Sequence, residues 1–183
     1  MKTTFQDFET FFQSFLTTAL WSSTDEQDNR KRSLLSDGWE FVEVEGKWQI
    51  EAPDGDVTPD TYEYKCEAVD AAWEASGGGC EDTALDANYS PSDFAPEALE
   101  VLRAHALSFW CRMWYHLDAE EEFSRSDDKA GSAGHDFWLT SQGHGAGFWD
   151  GDWPKYGDMF TKLSKCYPEG INITVGDDGK LHI

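Results

Sequence analysis

Basic residues are scarce in this sequence. Its 183 residues hold 14 Lys and Arg against 36 Asp and Glu, a formal net charge of −22. Proteins that bind DNA or RNA directly do so by neutralising phosphates with Lys and Arg, so no direct nucleic-acid binding is expected. The same deficit disfavours anionic membrane surfaces. No stretch approaches the roughly 18 apolar residues of a membrane span. The N-terminal stretch is polar and then amphipathic, which predicts no signal peptide. The cysteines, Cys66, Cys80, Cys111 and Cys166, form no C-x-x-C pair. They read as reduced structural thiols in a cytoplasmic protein. There is no H-E-x-x-H, no glycine loop ending in G-K-[ST] and no G-x-S-x-G. No catalytic residue, metal or cofactor is therefore assigned, and the chain is read as a non-enzyme.

What the sequence does hold is aromatic residues, 15% of the chain with nine Trp. At this length they can build one domain without disulfide or metal support. Phe5, Phe8, Phe11, Phe12, Phe15, Leu16, Ala19 and Leu20 fall on one face of a helix over 5–20. Ser22 to Ser36 is polar and aperiodic and reads as a loop. Gly38 to Ala52 alternates on both sides of Gly46, which predicts a hairpin with a Val44-Glu45-Gly46 turn and Val42 opposite Trp48. Thr58-Pro59 reads as a helix start, with Tyr62, Cys66, Val69 and Trp73 facing inward and Gly77 to Gly79 ending the helix. Ser90-Pro91 and Ala95-Pro96 read as two further starts. The second opens a helix to about Leu117 on the rhythm Leu99, Leu102, Ala106, Phe109, Trp110 and Met113, and the acidic run Asp118 to Glu122 extends its last turns. Ser124 to Gly134 reads as a loop. Asp152 is placed to cap a helix to Cys166. The closing INITVGDDGKLHI predicts a hairpin with Val175 opposite Leu181 and Ile173 opposite Ile183. The expected class is α+β: antiparallel β-hairpins forming a small sheet packed against several amphipathic helices.

Charge is unevenly spread, and residues 37–82 carry fourteen acids and two bases, net −12. Asp60, Glu63, Glu67, Asp70 and Glu74 fall at i, i+3, i+7, i+10 and i+14 of the helix expected from Thr58-Pro59 and form a second, entirely acidic stripe. Such a stripe sets carboxylates at rises of roughly 4.5 to 6 Å, on the scale of phosphates along one DNA strand. Glu40, Glu43, Glu45, Glu51, Asp54 and Asp56 extend the field. The sharper reading is a nucleic-acid mimic that engages a basic host protein through those five acids. The plainer one is a solvated acidic face.

Residues 133–153, AGHDFWLTSQGHGAGFWDGDW, gather Phe137, Trp138, Phe148, Trp149 and Trp153 among glycines. The stretch reads as a tight β-hairpin turning between Ser141 and Gly147. His135, Asp136, His144, Trp149 and Asp150 form its candidate ligand site. Imidazoles beside carboxylates suit a divalent metal or acid–base work, the alternative reading of a small metal-binding or hydrolytic domain. A further alternative exposes the five rings as an interaction surface. Asp54-Gly55-Asp56 and Asp177-Asp178-Gly179 lack the glutamate spacing of a calcium loop and read as turns.

These residues carry a resemblance. The long motif, the closing VGDDGKLHI, TALWSSTDE at Thr18 to Glu26 and LDANYSPSDFAPEAL at Leu85 to Leu99 resemble a family of small bacteriophage and mobile-element proteins. The resemblance implies a setting of host takeover or defence inhibition and assigns no activity. In that family TALWSSTDE runs almost directly into LDANYS. Here residues 31–82 intervene, so within a single domain over 1–183 an acidic hairpin-plus-helix module is expected as an insertion.

Overall fold

A computed structural model describes residues 5–77, 83–116 and 129–183. The class is α+β, with helices and two antiparallel hairpins. The chain divides into two compact units, one of residues 1–23 and 84–183, the other Thr24–Thr83.

In the first unit α1 (Phe5–Trp21) makes its most extensive pairing with α5 (Lys129–Ser141). The apolar face of α1 behaves as its spacing predicts: Phe8, Phe11, Phe12, Phe15, Leu16, Ala19 and Leu20 are all buried. α5 meets it with the small residues Ala130, Ala133 and Gly134, all buried. A Cβ at Gly134 would lie 2.1 Å from the carbonyl oxygen of Phe11, so only glycine permits this approach. α4 (Pro96–His116) opens on proline and buries Leu102, Ala106, Phe109, Trp110 and Met113 as expected. The rings of Phe109 and Phe137 stack at 4.1 Å with 11° between their planes. α6 (Gly157–Ser164) adds Phe160 to the same aromatic core.

The closing hairpin, β3 (Thr174–Val175) and β4 (Leu181–His182), pairs Val175 with Leu181 as expected, with Gly179 at φ 73° in the turn. Leu181 is buried and its carbonyl accepts from Ala95 N–H at 2.9 Å, which ties this hairpin to the start of α4. Ile183 stays exposed rather than joining Ile173 inside.

Several expectations are corrected here. Residues 129–141 are α5, not a loop followed by a strand, so the glycine-aromatic stretch is no hairpin. Ser90-Pro91 opens only a short 3-10 turn, Pro91–Asp93. α6 begins at Gly157 behind Tyr156, so Asp152 does not cap it. The two hairpins form separate two-stranded sheets rather than one. Gly78, Gly79, Cys80, Leu117 and the run 118–122 lie outside the described residues.

In the second unit α2 (Glu26–Ser36) replaces the expected loop. Asp25 caps it, its Oδ1 accepting from Asp28 N–H at 3.1 Å. Arg30 pairs with Glu26, and Arg32 with Asp28 at 2.7 Å, one helical turn apart. Those local contacts make a helix of a sequence that buries only Asp28, Asn29 and Leu34.

β1 (Glu40–Val44) and β2 (Lys47–Glu51) join through Glu45 and Gly46, at φ 53° and 77°. This is a two-residue turn of the kind whose twist suits hairpins. Val44 therefore pairs with Lys47, Val42 with Gln49 and Glu43 with Trp48, one step from the expected Val42–Trp48 register. α3 (Lys65–Ser76) starts later than Thr58-Pro59 suggests. Thr58 N–H instead donates to Ile50 O at 2.9 Å, and Trp48 and Tyr62 exchange N–H···O bonds at 2.8 Å, so residues 57–62 run along β2. The helix ends at Gly77, left-handed at φ 65°, as expected. Ala68, Val69 and Ala72 are its buried residues, and Cys66 is exposed rather than inward. Ile50 and Leu34 complete a small core under Trp39, Phe41, Trp48 and Tyr62.

Candidate functional site

All five acids of the expected stripe are exposed, but they do not form one helical row. Asp60 and Glu63 precede α3, because their segment lies along β2. Glu67 turns back to cap the helix, its Oε2 accepting from the N–H groups of Glu63 and Tyr64, each at 3.2 Å. Asp70 Oδ1 accepts from Arg30 and from Gln27 Nε2, both at 3.0 Å. Glu26 first, then Asp70, raises the Arg30 guanidinium above its ordinary value. Two of the five carboxylates thus hold the unit together. The charge itself is concentrated there: residues 24–83 carry seventeen acids against five bases, net −12.

The glycine-aromatic stretch is built for its own packing. Trp153 Nε1–H donates to Oδ2 of buried Asp136 at 2.7 Å. The other oxygen lies 2.9 Å from His135 Nδ1. An ionised carboxylate only accepts, so Nδ1 carries the proton. The imidazole is thereby oriented against Trp21, with ring centroids 6.0 Å apart and 26° between planes. Lys129 lies 4.4 Å over the Trp153 ring and donates to Asp152 O at 3.1 Å. Trp138 Nε1–H donates to Ser22 Oγ at 2.9 Å, and Ser22 passes its own hydrogen to Thr18 O at 2.7 Å.

The remaining positions make a helix stop and a tight return. His144 N–H donates to Leu139 O at 2.9 Å and Gly143 N–H to Thr140 O, with Gly143 left-handed at φ 74°. That pair of bonds is a Schellman cap, which fixes the end of α5. Thr140 Oγ1 accepts from Phe148 N–H at 3.1 Å, and Asp150 Oδ2 accepts from Gly147 N–H at 2.9 Å. A Cβ on Gly147 would sit 2.3 Å from Thr140 Oγ1, and one on Gly157 2.4 Å from Phe148 O. Gln142 anchors the tail, donating to Pro168 O and accepting from Ile171 N–H.

His135 and Asp136 are therefore brought together, while Asp150 serves the Gly147 turn and His144 the helix cap. No group of three or more His, Cys, Asp and Glu among the described residues is placed to hold a metal. Phe137, Trp138, Phe148 and Trp153 are buried, which removes them from an interaction surface; Trp149 alone of the five is exposed. It borders a cleft of about 220 Å³ lined also by Trp153, Pro154, Lys155 and Asp158.

The molecule these observations define is an α+β protein in which a glycine-aromatic scaffold and a compact acidic unit share one chain. Comparison with family models, curated proteins and solved structures finds no match to it. Among the described residues no helix is long and apolar enough to cross a membrane.

One surface feature escaped the sequence reading, the outer edge of β1. Its signal is the alternation Glu40-Phe41-Val42-Glu43-Val44. With one register step in doubt, that pattern does not say which face is outward.

Proposed function

We propose that this is a bacteriophage-encoded acidic binding protein that acts in the host cytoplasm by engaging a basic host protein, such as a defence or DNA-binding factor. The observation that carries the reading is the charge of the second unit, net −12 over sixty residues. Crowding of like charge opposes folding, and only Glu67 and Asp70 of the five candidate acids serve the fold. Asp60, Glu63 and Glu74 stay exposed and meet a partner's cations directly. The mimicry is of a polyanionic field rather than of a regular phosphate row, because Asp60 and Glu63 lie outside α3.

The test is retention of proteins from a bacterial lysate on the immobilised chain, eluted along a salt gradient. A basic protein released as salt rises, and no longer retained when Asp60, Glu63 and Glu74 become Lys, is the expected result. Retention unchanged by that triple reversal overturns the assignment of the surface. No salt-released protein at all overturns the function.

A further inference from the structure

We infer that the open edge of β1 receives an extended segment of the basic partner as an added strand. This rests on the proposed function and gives it a site. In an antiparallel ladder, opposed residues alternate between pairs that exchange both main-chain bonds and pairs that exchange none. Trp48 exchanges its main-chain bonds with Tyr62, and Ile50 O accepts from Thr58. Both therefore turn their main chain away from β1. Their opposite numbers, Glu43 and Phe41, form the non-bonded pairs of the β1–β2 ladder. The N–H and C=O groups of Phe41 and Glu43 consequently point to the outer edge, where nothing among the described residues pairs with them. The far side of β2 is covered by residues 57–62, so β1 is the one edge of this hairpin left to receive a strand.

The side chains say what kind of strand. Edges are ordinarily guarded by charged side chains, Lys above all, by Pro or by a bulge; β1 has no Lys, Pro or bulge, and its only edge charges are the carboxylates of Glu40 and Glu43, with Glu45 in the turn. A second copy of this chain would double the same negative charge along the seam, so self-pairing is opposed. A cationic strand is favoured. Opposed residues share a face. Positions of the added strand opposite Phe41 and Glu43 therefore face the α3 side, where Glu43 suits Lys or Arg. Those opposite Val42 and Val44, exposed by 41% and 44%, face outward and suit aliphatic residues. The occupant is an extended segment of a basic protein that alternates basic and β-branched residues, held by main-chain bonds and selected by charge.

The experiment uses the full chain and an acetylated, amidated peptide of alternating Lys and Val. A second peptide of the same sequence carries N-methyl groups on the amides of one edge. It keeps its charge and loses the donors that strand pairing needs. Affinity is measured by titration calorimetry, and edge pairing by hydrogen exchange of the Phe41 and Glu43 amides. The expected result is binding of the first peptide that protects both amides and is weakened about tenfold or more by N-methylation. The Glu43→Pro variant removes an outward N–H without cutting the β1–β2 ladder and weakens binding similarly. Glu43→Gln weakens it with a shallower salt dependence, and Glu40→Gln, on the outward face with Val42 and Val44, has the smaller effect. Equal binding of both peptides with no amide protection overturns the edge inference and leaves the basic-partner reading standing. Binding of neither peptide at low salt overturns both.

Discussion

Trp153 and Asp136 are joined by a buried hydrogen bond of 2.7 Å from indole Nε1–H to carboxylate Oδ2. The bond spans seventeen residues and fixes the return after α5 against the helix itself. Asp136→Ala removes the acceptor and leaves the donor in a buried setting, at a cost of about 1–3 kcal/mol. Asp136→Asn keeps an acceptor and costs less. Urea unfolding of the two variants checks the order Asn above Ala; equal stability of Asp136→Ala and wild type would show that the bond contributes nothing.

Gly134→Ala tests the close approach of α1 and α5. The new Cβ would meet the Phe11 carbonyl at 2.1 Å, and main chain on both sides must move. The expected loss is about 1–3 kcal/mol or more. Gly145→Ala is the internal control, since nothing lies within 4 Å of its Cβ and its φ is not positive. Thermal unfolding should separate the two clearly, and a Gly134→Ala protein that melts with wild type would contradict the helix contact.

The turn between β1 and β2 holds Glu45 at φ 53°, the only non-glycine residue among those described with a positive φ. That conformation costs an ordinary L-residue roughly 1–2 kcal/mol. Asn tolerates it far better, so Glu45→Asn stabilises the second unit by about 0.5–1 kcal/mol on the same grounds. Gly46→Ala does the reverse. Amide exchange of β1 and β2 reads both effects locally.

Asp93 offers a pH test. Its carboxylate accepts from Ser90 N–H and from Ser90 Oγ–H, both at 2.8 Å. These bonds, the main-chain one foremost, hold it below the ordinary carboxylate value. A depressed folded value stabilises the fold at pH above the unfolded value, about 3.9, and that contribution is lost as pH falls through the folded value. A carbon-detected NMR titration should place the Asp93 midpoint below that of an unfolded reference peptide. Ser90→Ala should move it up by removing the hydroxyl. A midpoint at the ordinary value in wild type would remove the cap.

Much of the first unit's helical framework was legible, because its signals are local. The face of α1, the rhythm of α4 and the Val175–Leu181 register each depend on residues within one element. α5 was misread because Gly131 and Gly134 looked like breakers and Phe137 and Leu139 like strand alternation. Gly134 answers a tertiary demand, the nearness of α1, that no local propensity reports. Two signals were present: small residues at helical spacing (Ala130, Ala133, Gly134) continued by Phe137, and Gly143 in position to stop a helix. α2 was missed because it buries little, although Asp25 as cap and the Glu26–Arg30 and Asp28–Arg32 spacings mark a helix by charge. At the candidate site the acids were legible as exposed. Their row was not, since Thr58-Pro59 serves the β2 edge instead of starting α3.

The division into two units predicts that the second can be removed. Ser23 and Ala84 flank it, and the N–H of the next residue, Leu85, donates to Ser23 O at 3.0 Å, so the ends of the first unit meet at the excision point. Among the described residues, the aromatic contacts of the α1, α4, α5 and α6 core lie within residues 1–23 and 84–183. A chain lacking residues 24–83, with a short Gly-Ser link, should therefore fold cooperatively and keep the near-ultraviolet signal of the first unit's aromatic core, without that of Trp39, Trp48 and Trp73. Its net charge drops from −22 to −10 when the −12 of the excised unit is taken away. Salt-released retention of a basic protein should vanish with it. Loss of cooperative unfolding would mean that the first unit needs the second to fold. Retention that survives the excision would move the binding surface to the first unit, where Trp149 and its cleft become the place to look.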